Sequence, residues 1–303
     1  MNASEQRIAD MHSVLNILNV LLGELSMIQP KEPQLLKDAE RLKDQLDVTV
    51  REIKEGEPIT EIIARIRAYE SAVIAFGTKV LDCARLKLER EALKESLGNL
   101  ESIFAVFRKR LDEFEERAED PDIWVHVEPC ALREEFEAFF GAIAKNSKGR
   151  YQIYFNLARQ ERGDYYFDLK FEVRRADNRL WIPLRLIDVL RDLAGNARKY
   201  SPPGGRVALA LYQDEDFIHA AIEDSGCGIP EDEIEKVSQF GYRASNVRQR
   251  PTFGGGFGLT KAVWLVTSWG GSLRLQSEAD RGTMVRISIP NIKRSASPKT
   301  RSI

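Results

Sequence analysis

Asp192 and Asn196 stand four residues apart in the run Leu190-Arg191-Asp192-Leu193-Ala194-Gly195-Asn196-Ala197-Arg198-Lys199-Tyr200-Ser201. On a helix this spacing puts both side chains on one face. A carboxylate and a carboxamide there offer oxygen ligands to a hard cation such as magnesium, directly or through water. Lys199 brings a positive charge to the same face, and Pro202-Pro203-Gly204-Gly205 closes the helix in a tight turn. A second segment, Asp224-Ser225-Gly226-Cys227-Gly228-Ile229-Pro230, follows directly on a strand-like run. Two glycines with one spacer let the backbone approach a flat ligand closely, and the carboxylate can accept a hydrogen bond from an exocyclic amine such as adenine presents. A third, Gly254-Gly255-Gly256-Phe257-Gly258-Leu259-Thr260, runs into an apolar helix. Backbone amides at such a helix start form a ready anion site. The segment lacks the Gly-Lys-Ser/Thr ending of a P-loop and does not follow a strand, so neither a P-loop nor a dinucleotide fingerprint is present. Taken singly, a polar surface helix and a glycine-rich turn would explain the first two segments equally well.

These groups are held by elements with two different periods. Residues 1 to about 120 read as helix. Ile8, Met11, Leu15, Leu18, Leu22 and Leu25 recur at spacings of three and four, a heptad seam. Pro30 and Pro33 interrupt it, and the Glu55–Pro58 stretch stops a second segment carrying Leu35, Ala39, Leu42, Leu46 and Ile53. A third runs from Ile59 to Cys83; after a phase slip at Glu89-Arg90 a fourth carries Leu93 to Phe114. Short connections predict three or four antiparallel helices. After Pro121 the pattern alternates strands at 124–127, 151–156, 165–173, 207–212, 217–223, 272–276 and 283–289 with helices at about 130–145, 184–200, 231–238 and 258–269. That is a layered α+β domain with a mostly antiparallel sheet. Residues 293–303 are polar and basic and read as a disordered tail.

His12 lies beside the first seam, in the stripe His12, Asn16, Asn19, Gly23. An exposed neutral imidazole is nucleophilic near neutral pH, although an isolated surface histidine on an amphipathic helix is the plainer reading. His126 and His219 fall in strands and are expected to be structural. Lys and Arg total 45 against 47 Asp and Glu, which argues against a dedicated nucleic-acid or membrane-surface binder. Three cysteines at 83, 130 and 227 have neither metal-ligand nor disulfide spacing. With no run of about 18 apolar residues, no membrane span is expected, and a reducing cytoplasm is the expected compartment.

The Asp192/Asn196 helix, the Asp224–Pro230 loop, the Gly254–Thr260 loop and Arg281-Gly282-Thr283-Met284-Val285, in that order, resemble the GHKL ATPase superfamily of histidine kinases, Hsp90, type II topoisomerases and anti-sigma serine kinases. The resemblance covers roughly residues 122–290, and the run from Asn196 to Gly205 narrows it towards histidine kinases. It implies an α-helical N-terminal bundle (1–120, dimerisation and histidine phosphotransfer) plus an α+β Bergerat-type ATPase domain (121–292) with helices packed on a mixed sheet. It also implies ATP and Mg2+ as ligands. Asn196 would hold magnesium, and Asp192 would orient magnesium or water. Lys199 would contact phosphate, and Asp224 the adenine amine. Gly226 and Gly228 would shape the base pocket; Gly254, Gly256 and Gly258 would hinge a lid over the phosphates, with Leu259 and Thr283 beside the nucleotide. The lid, from about Glu231 to Gly256, carries Tyr242, Arg243, Arg248 and Arg250, one arginine of which would stabilise charge on the γ-phosphoryl group.

The segment from His12 to Asn16 is similar to the phosphoacceptor box of histidine kinases, with Ser13 where many members carry an acid and with Leu15 and Ile17 in place of the usual Arg and Pro. The resemblance thus implies an ATP-dependent histidine kinase passing phosphate from His12 to an aspartate of a response regulator, with Asn16 placed to position a hydrolytic water. A homodimer and an upstream sensor protein are the further partners it implies. An inactive scaffold and a serine kinase of anti-sigma type are the alternatives.

Overall fold

The computed structural model describes residues 3–28, 30, 32–55, 57–119, 123–145, 147, 149–174, 178–248 and 258–291; the side chains of several α1 and α4 residues, His12 and Asn16 among them, lie outside that description. The chain divides into two compact units, residues 2–121 and 122–303.

The first unit is four helices: α1 (Ala3–Met27), α2 (Pro33–Glu55), α3 (Ile59–Cys83) and α4 (Lys87–Glu119). Proline sets the first break, since Pro33 stands at the first turn of α2, where its missing amide costs nothing. The α3–α4 break has no such breaker: Ala84 turns extended (φ −70°, ψ 124°). It falls at 84–86, earlier than the phase slip at Glu89-Arg90 suggests. α1 packs on α2 and α4, and α3 on the same two, so the bundle closes within one chain. Its core contains Met11, Val14, Leu18, Leu21 and Leu25 of α1 with Leu46, Ile62, Val73, Phe104 and Phe107. Each such side chain contributes about 1.5–3 kcal/mol on burial. Leu21, rather than Leu22, is the fully buried member at that turn, because a helix with two neighbours buries a wider stripe than a seam. Asn19 and Gly23 are exposed.

The second unit is built on a six-stranded sheet of order β2-β3-β5-β6-β8-β7: β2 (Ile153–Tyr154), β3 (Tyr165–Val173), β5 (Arg206–Gln213), β6 (Phe217–Asp224), β7 (Ser272–Glu278) and β8 (Gly282–Pro290). β2, β3 and β5 run parallel, and the rest pair antiparallel. A parallel β3–β5 pair requires a crossover, which is supplied by β4 (Leu180–Pro183) and α6 (Leu184–Tyr200). β4 pairs separately with β1 (Trp124–Val127). α5 (Pro129–Lys145), α6 and α7 (Gly258–Ser268) cover the sheet. The strands alternate accordingly: Phe167, Leu169, Val207, Leu209, Ile218, Ile222, Val285 and Ile287 are buried.

Residues 231–238 are not the expected helix. They form two short 3-10 turns, Glu231–Glu233 and Lys236–Ser238, because of the eight only Glu233 and Val237 are buried and Glu233 is engaged further along the chain. Residues 293–303 lie outside the described residues. Among the described residues no helix is long and apolar enough to cross a membrane.

Candidate nucleotide-binding site

α6 is the spine of the site. Its inner face is wholly buried (Leu186, Val189, Leu190, Leu193, Ala194, Ala197), which leaves Asp192, Gly195, Asn196 and Lys199 half-buried on the opposite side, one to two turns apart. A Cβ added to Gly195 would meet nothing within 4 Å, so this face borders open space.

The start of one helix and one loop meet α6 at opposite ends of that face. At the N-terminal end, Gly258 opens α7 so close to α6 that an added Cβ would lie 3.1 Å from Asn196 Nδ2 and 3.7 Å from Asp192 Cβ. At the C-terminal end the Cys227 amide donates to the Tyr200 carbonyl (3.2 Å), and a Cβ on Gly226 would stand 2.9 Å from that same oxygen. From Asp192 to Tyr200 the helix rises roughly 12 Å at 1.5 Å per residue, about the reach from a purine to a terminal phosphate.

Asp224 ends β6 opposite Thr283 of β8. Its Oδ1 accepts from the Gly226 amide at 2.8 Å. Burial pushes its carboxyl up to about 6, against the lowering effect of the Gly226 and Thr283 amides. Gly228 adopts φ +61°, and a Cβ there would run into the Glu278 carbonyl, so only glycine fits where the loop crosses the β7–β8 turn. Ser277 locks this crossing: its hydroxyl accepts from the Ile229 amide (2.9 Å) and bonds Thr283 Oγ1 (2.9 Å).

Lys199 is held down to about 8 by burial first, then by the charges of Arg243 and Arg198. Lys199 thus stands in positive surroundings, which an anion would relieve. Arg243 is carried by the segment 231–248, which folds on its own small core of Val237, Ala244 and Val247 against Tyr200, Cys227 and Leu259. Glu233 staples the segment, accepting from the Ser245 amide (2.8 Å), the Ser245 hydroxyl (3.1 Å) and the Tyr242 hydroxyl (3.0 Å). Asn246 Nδ2 ties it to the Gly228 carbonyl at 2.9 Å. Tyr242 is therefore engaged with Glu233, and Arg248 stacks over its ring. Leu259 is half-buried between this cluster and the main core. Gly254, Gly256 and Arg250 lie outside the described residues. His12 and Asn16 belong to α1 in the other unit, and their side chains lie outside the description.

Sequence reasoning missed Glu233, Asn246, Ser277 and, most consequentially, Lys261. Lys261 is 2% exposed, and its Nζ lies 3.0 Å from Asp192 Oδ2. Its signal was present: it falls on the stripe Gly258, Lys261, Ala262, Leu265, Val266, and a lysine on a buried stripe demands a carboxylate.

The donor set suits a magnesium-bound polyphosphate better than a bare metal. Among the described residues no group of three or more His, Cys, Asp or Glu could hold an ion. An ion would therefore take most of its oxygens from phosphate and water, with Asn196 supplying one.

Residues 182–293 match the family described as histidine kinase-, DNA gyrase B-, and HSP90-like ATPase. The sensor histidine kinase WalK of Bacillus subtilis (strain 168) is 33% identical over 108 residues, which is 35% of this chain and 18% of WalK. The sensor histidine kinase Hik2 of Thermosynechococcus vestitus (strain NIES-2133 / IAM M-273 / BP-1) is 34% identical over 114 residues, 37% of this chain and 29% of Hik2. The match spans less than a third of the length of either relative. Among solved structures, a mycobacterial sensor histidine kinase, MprB, is similar at 31% identity and a TM-score of 0.35, covering 43% of this chain and 85% of that one. The matched range 182–293, which opens on the end of β4 and on α6, is thus similar to the ATPase domains of histidine kinase-, DNA gyrase B- and HSP90-like proteins and to a segment of sensor histidine kinases.

Proposed function

We propose that the chain is an ATP-dependent protein histidine kinase of a two-component phosphorelay, with residues 121–292 as the catalytic domain and the helical unit as the phosphotransfer region. The observation that carries the reading is the convergence on α6 of the α7 start, with Gly258 at Asn196, and of the Asp224–Gly228 loop at Tyr200, with Lys199 on the same face and under the influence of the Arg243 charge.

Asp224 would accept from the adenine amine, and Gly226 and Gly228 would let the base lie against backbone. Lys199 and Arg243 would balance the phosphate charge, and Asn196 would hold the phosphate-bound magnesium, with Asp192 beside it. ATP supplies the phosphoryl group. A ring nitrogen of His12 would form the N–P bond as the bond from the γ-phosphorus to the β–γ bridging oxygen breaks, and ADP would leave with that oxygen. An aspartate of a response regulator would then take the phosphoryl group. Signal would enter through an upstream sensor protein or sensory segment, and the chemistry belongs in the cytoplasm, where ATP is. A homodimer through the α1 seam would require that seam to leave α2 and α4, which bury it here.

The test is incubation of the full chain with γ-labelled ATP. Acid-labile, base-stable label that disappears in His12→Gln, while that variant still binds a fluorescent ATP analogue, is the expected result. Acid-stable label, or label retained by the variant, overturns the assignment.

A further inference from the structure

Lys261 and Asp192 form a buried ion pair directly beside Asn196. Lys261 is 2% exposed, the Asp192 side chain 16%, and the contact is 3.0 Å. Each is the other's one ion-pair partner among the described residues. The backbone reinforces the pair, because Gly258, one turn before Lys261, packs on both Asp192 and Asn196. Sequence spacing alone offers Asp192 and Asn196 as twin ligands for a cation. In the structure Asp192, unlike Asn196, faces a buried ammonium.

We infer that Lys261 is a specificity-determining residue that reserves the Asp192 carboxylate, so that magnesium reaches this site through Asn196 and phosphate without Asp192; the inference rests on the nucleotide-binding reading above. A buried ammonium whose carboxylate is drawn away is left uncompensated, which is far costlier than the intact pair. A divalent ion approaching Asp192 also meets the ammonium's own charge at close range. Asn196 is neutral and carries no such conflict. Lys261 thereby sets how much magnesium the protein needs to bind its nucleotide.

The experiment titrates Mg2+ into the full-length protein with trinitrophenyl-ATP as fluorescent probe and reads the half-saturating Mg2+ concentration, which a purely structural role of Lys261 would not move. Lys261→Met frees Asp192 as a ligand, and the half-saturating concentration is expected to fall at least tenfold. The double variant Lys261→Met/Asp192→Asn removes both charges together, a replacement that buried pairs commonly tolerate, and should return within about threefold of the parent protein. A folded Lys261→Met protein with unchanged Mg2+ dependence overturns the inference. So does a double variant needing tenfold more Mg2+ than the parent, since Asp192 would then be a ligand despite its lysine. Absence of probe binding to the parent protein, with or without Mg2+, removes the underlying nucleotide reading and the inference with it.

Discussion

Gly258 sits so close to Asn196 that a Cβ at that position would be 3.1 Å from the carboxamide Nδ2, and the carboxamide would have to give way. Alanine is a better helix former than glycine by up to about 1 kcal/mol, and Gly258 opens α7 without a positive φ. Gly258→Ala should therefore leave the urea midpoint unchanged or raised while pushing Asn196 aside by a few tenths of an ångström. The expected result is roughly tenfold weaker binding of a fluorescent ATP analogue. An unchanged Kd would mean that Asn196 contributes nothing to the site.

Two groups in the site predict opposite pH limbs. Asp224 is raised to about 6 by burial, the Gly226 and Thr283 amides offsetting part of the effect. On the proposed function an adenine amine would donate to the ionised carboxylate, so affinity should be intact above pH 6 and decline below it. Lys199 is lowered to about 8 by burial and by Arg243 and Arg198; phosphate favours its protonated form, so affinity should decline as pH rises through 8. Asp224→Asn should flatten only the acid limb, and Lys199→Met only the alkaline one. Stability without nucleotide has the reverse sign at Asp224: a folded value above the ordinary 3.9 or so means the fold gains as pH falls from 6 towards 4. Binding isotherms and urea melts across pH 5–9 check both.

Much of this was legible in local spacing, and what was not depended on distant partners. The period of α6 placed Asp192, Asn196 and Lys199 on one face without any tertiary knowledge, and β3 and α6 follow their patterns residue for residue. β4 escaped because four residues, Leu180–Pro183, all buried, show no alternation. The 231–238 stretch has helix-like spacing, yet Glu233 is turned towards Tyr242 and Ser245, nine and twelve residues on. Lys261 announces a buried charge but not its partner, 69 residues away. Periodicity reports which face is inside; it does not say which charge answers which.

Gly228 offers a test of the loop geometry itself. At φ +61° an L-residue is strained, and its Cβ would collide with the Glu278 carbonyl and the Ala279 backbone. Backbone on both sides leaves no flexible side chain to yield. Gly228→Ala should cost about 2–4 kcal/mol. Tryptophan fluorescence isolates the effect, because Trp124, Trp181, Trp264 and Trp269 all belong to the second unit. A loss below about 0.5 kcal/mol, the range of an ordinary surface substitution, would show that the loop crosses the β7–β8 turn differently.

Glu233 governs the segment that carries Arg243. Its carboxylate takes three hydrogen bonds from Tyr242 and Ser245, and those donors hold its carboxyl below the usual carboxylate range. Glu233→Ala leaves the Ser245 amide and the Tyr242 hydroxyl without that acceptor, so amides 242–247 should exchange at least about tenfold faster, whereas those of α6 and β5 keep their protection. The same variant loosens Arg243, whose charge helps to depress Lys199. The alkaline limb of nucleotide binding should accordingly shift to higher pH while the acid limb set by Asp224 stays in place. Unchanged exchange together with an unmoved limb would show that the apolar contacts of Val237, Ala244 and Val247, with the Asn246–Gly228 bond, hold the segment without Glu233.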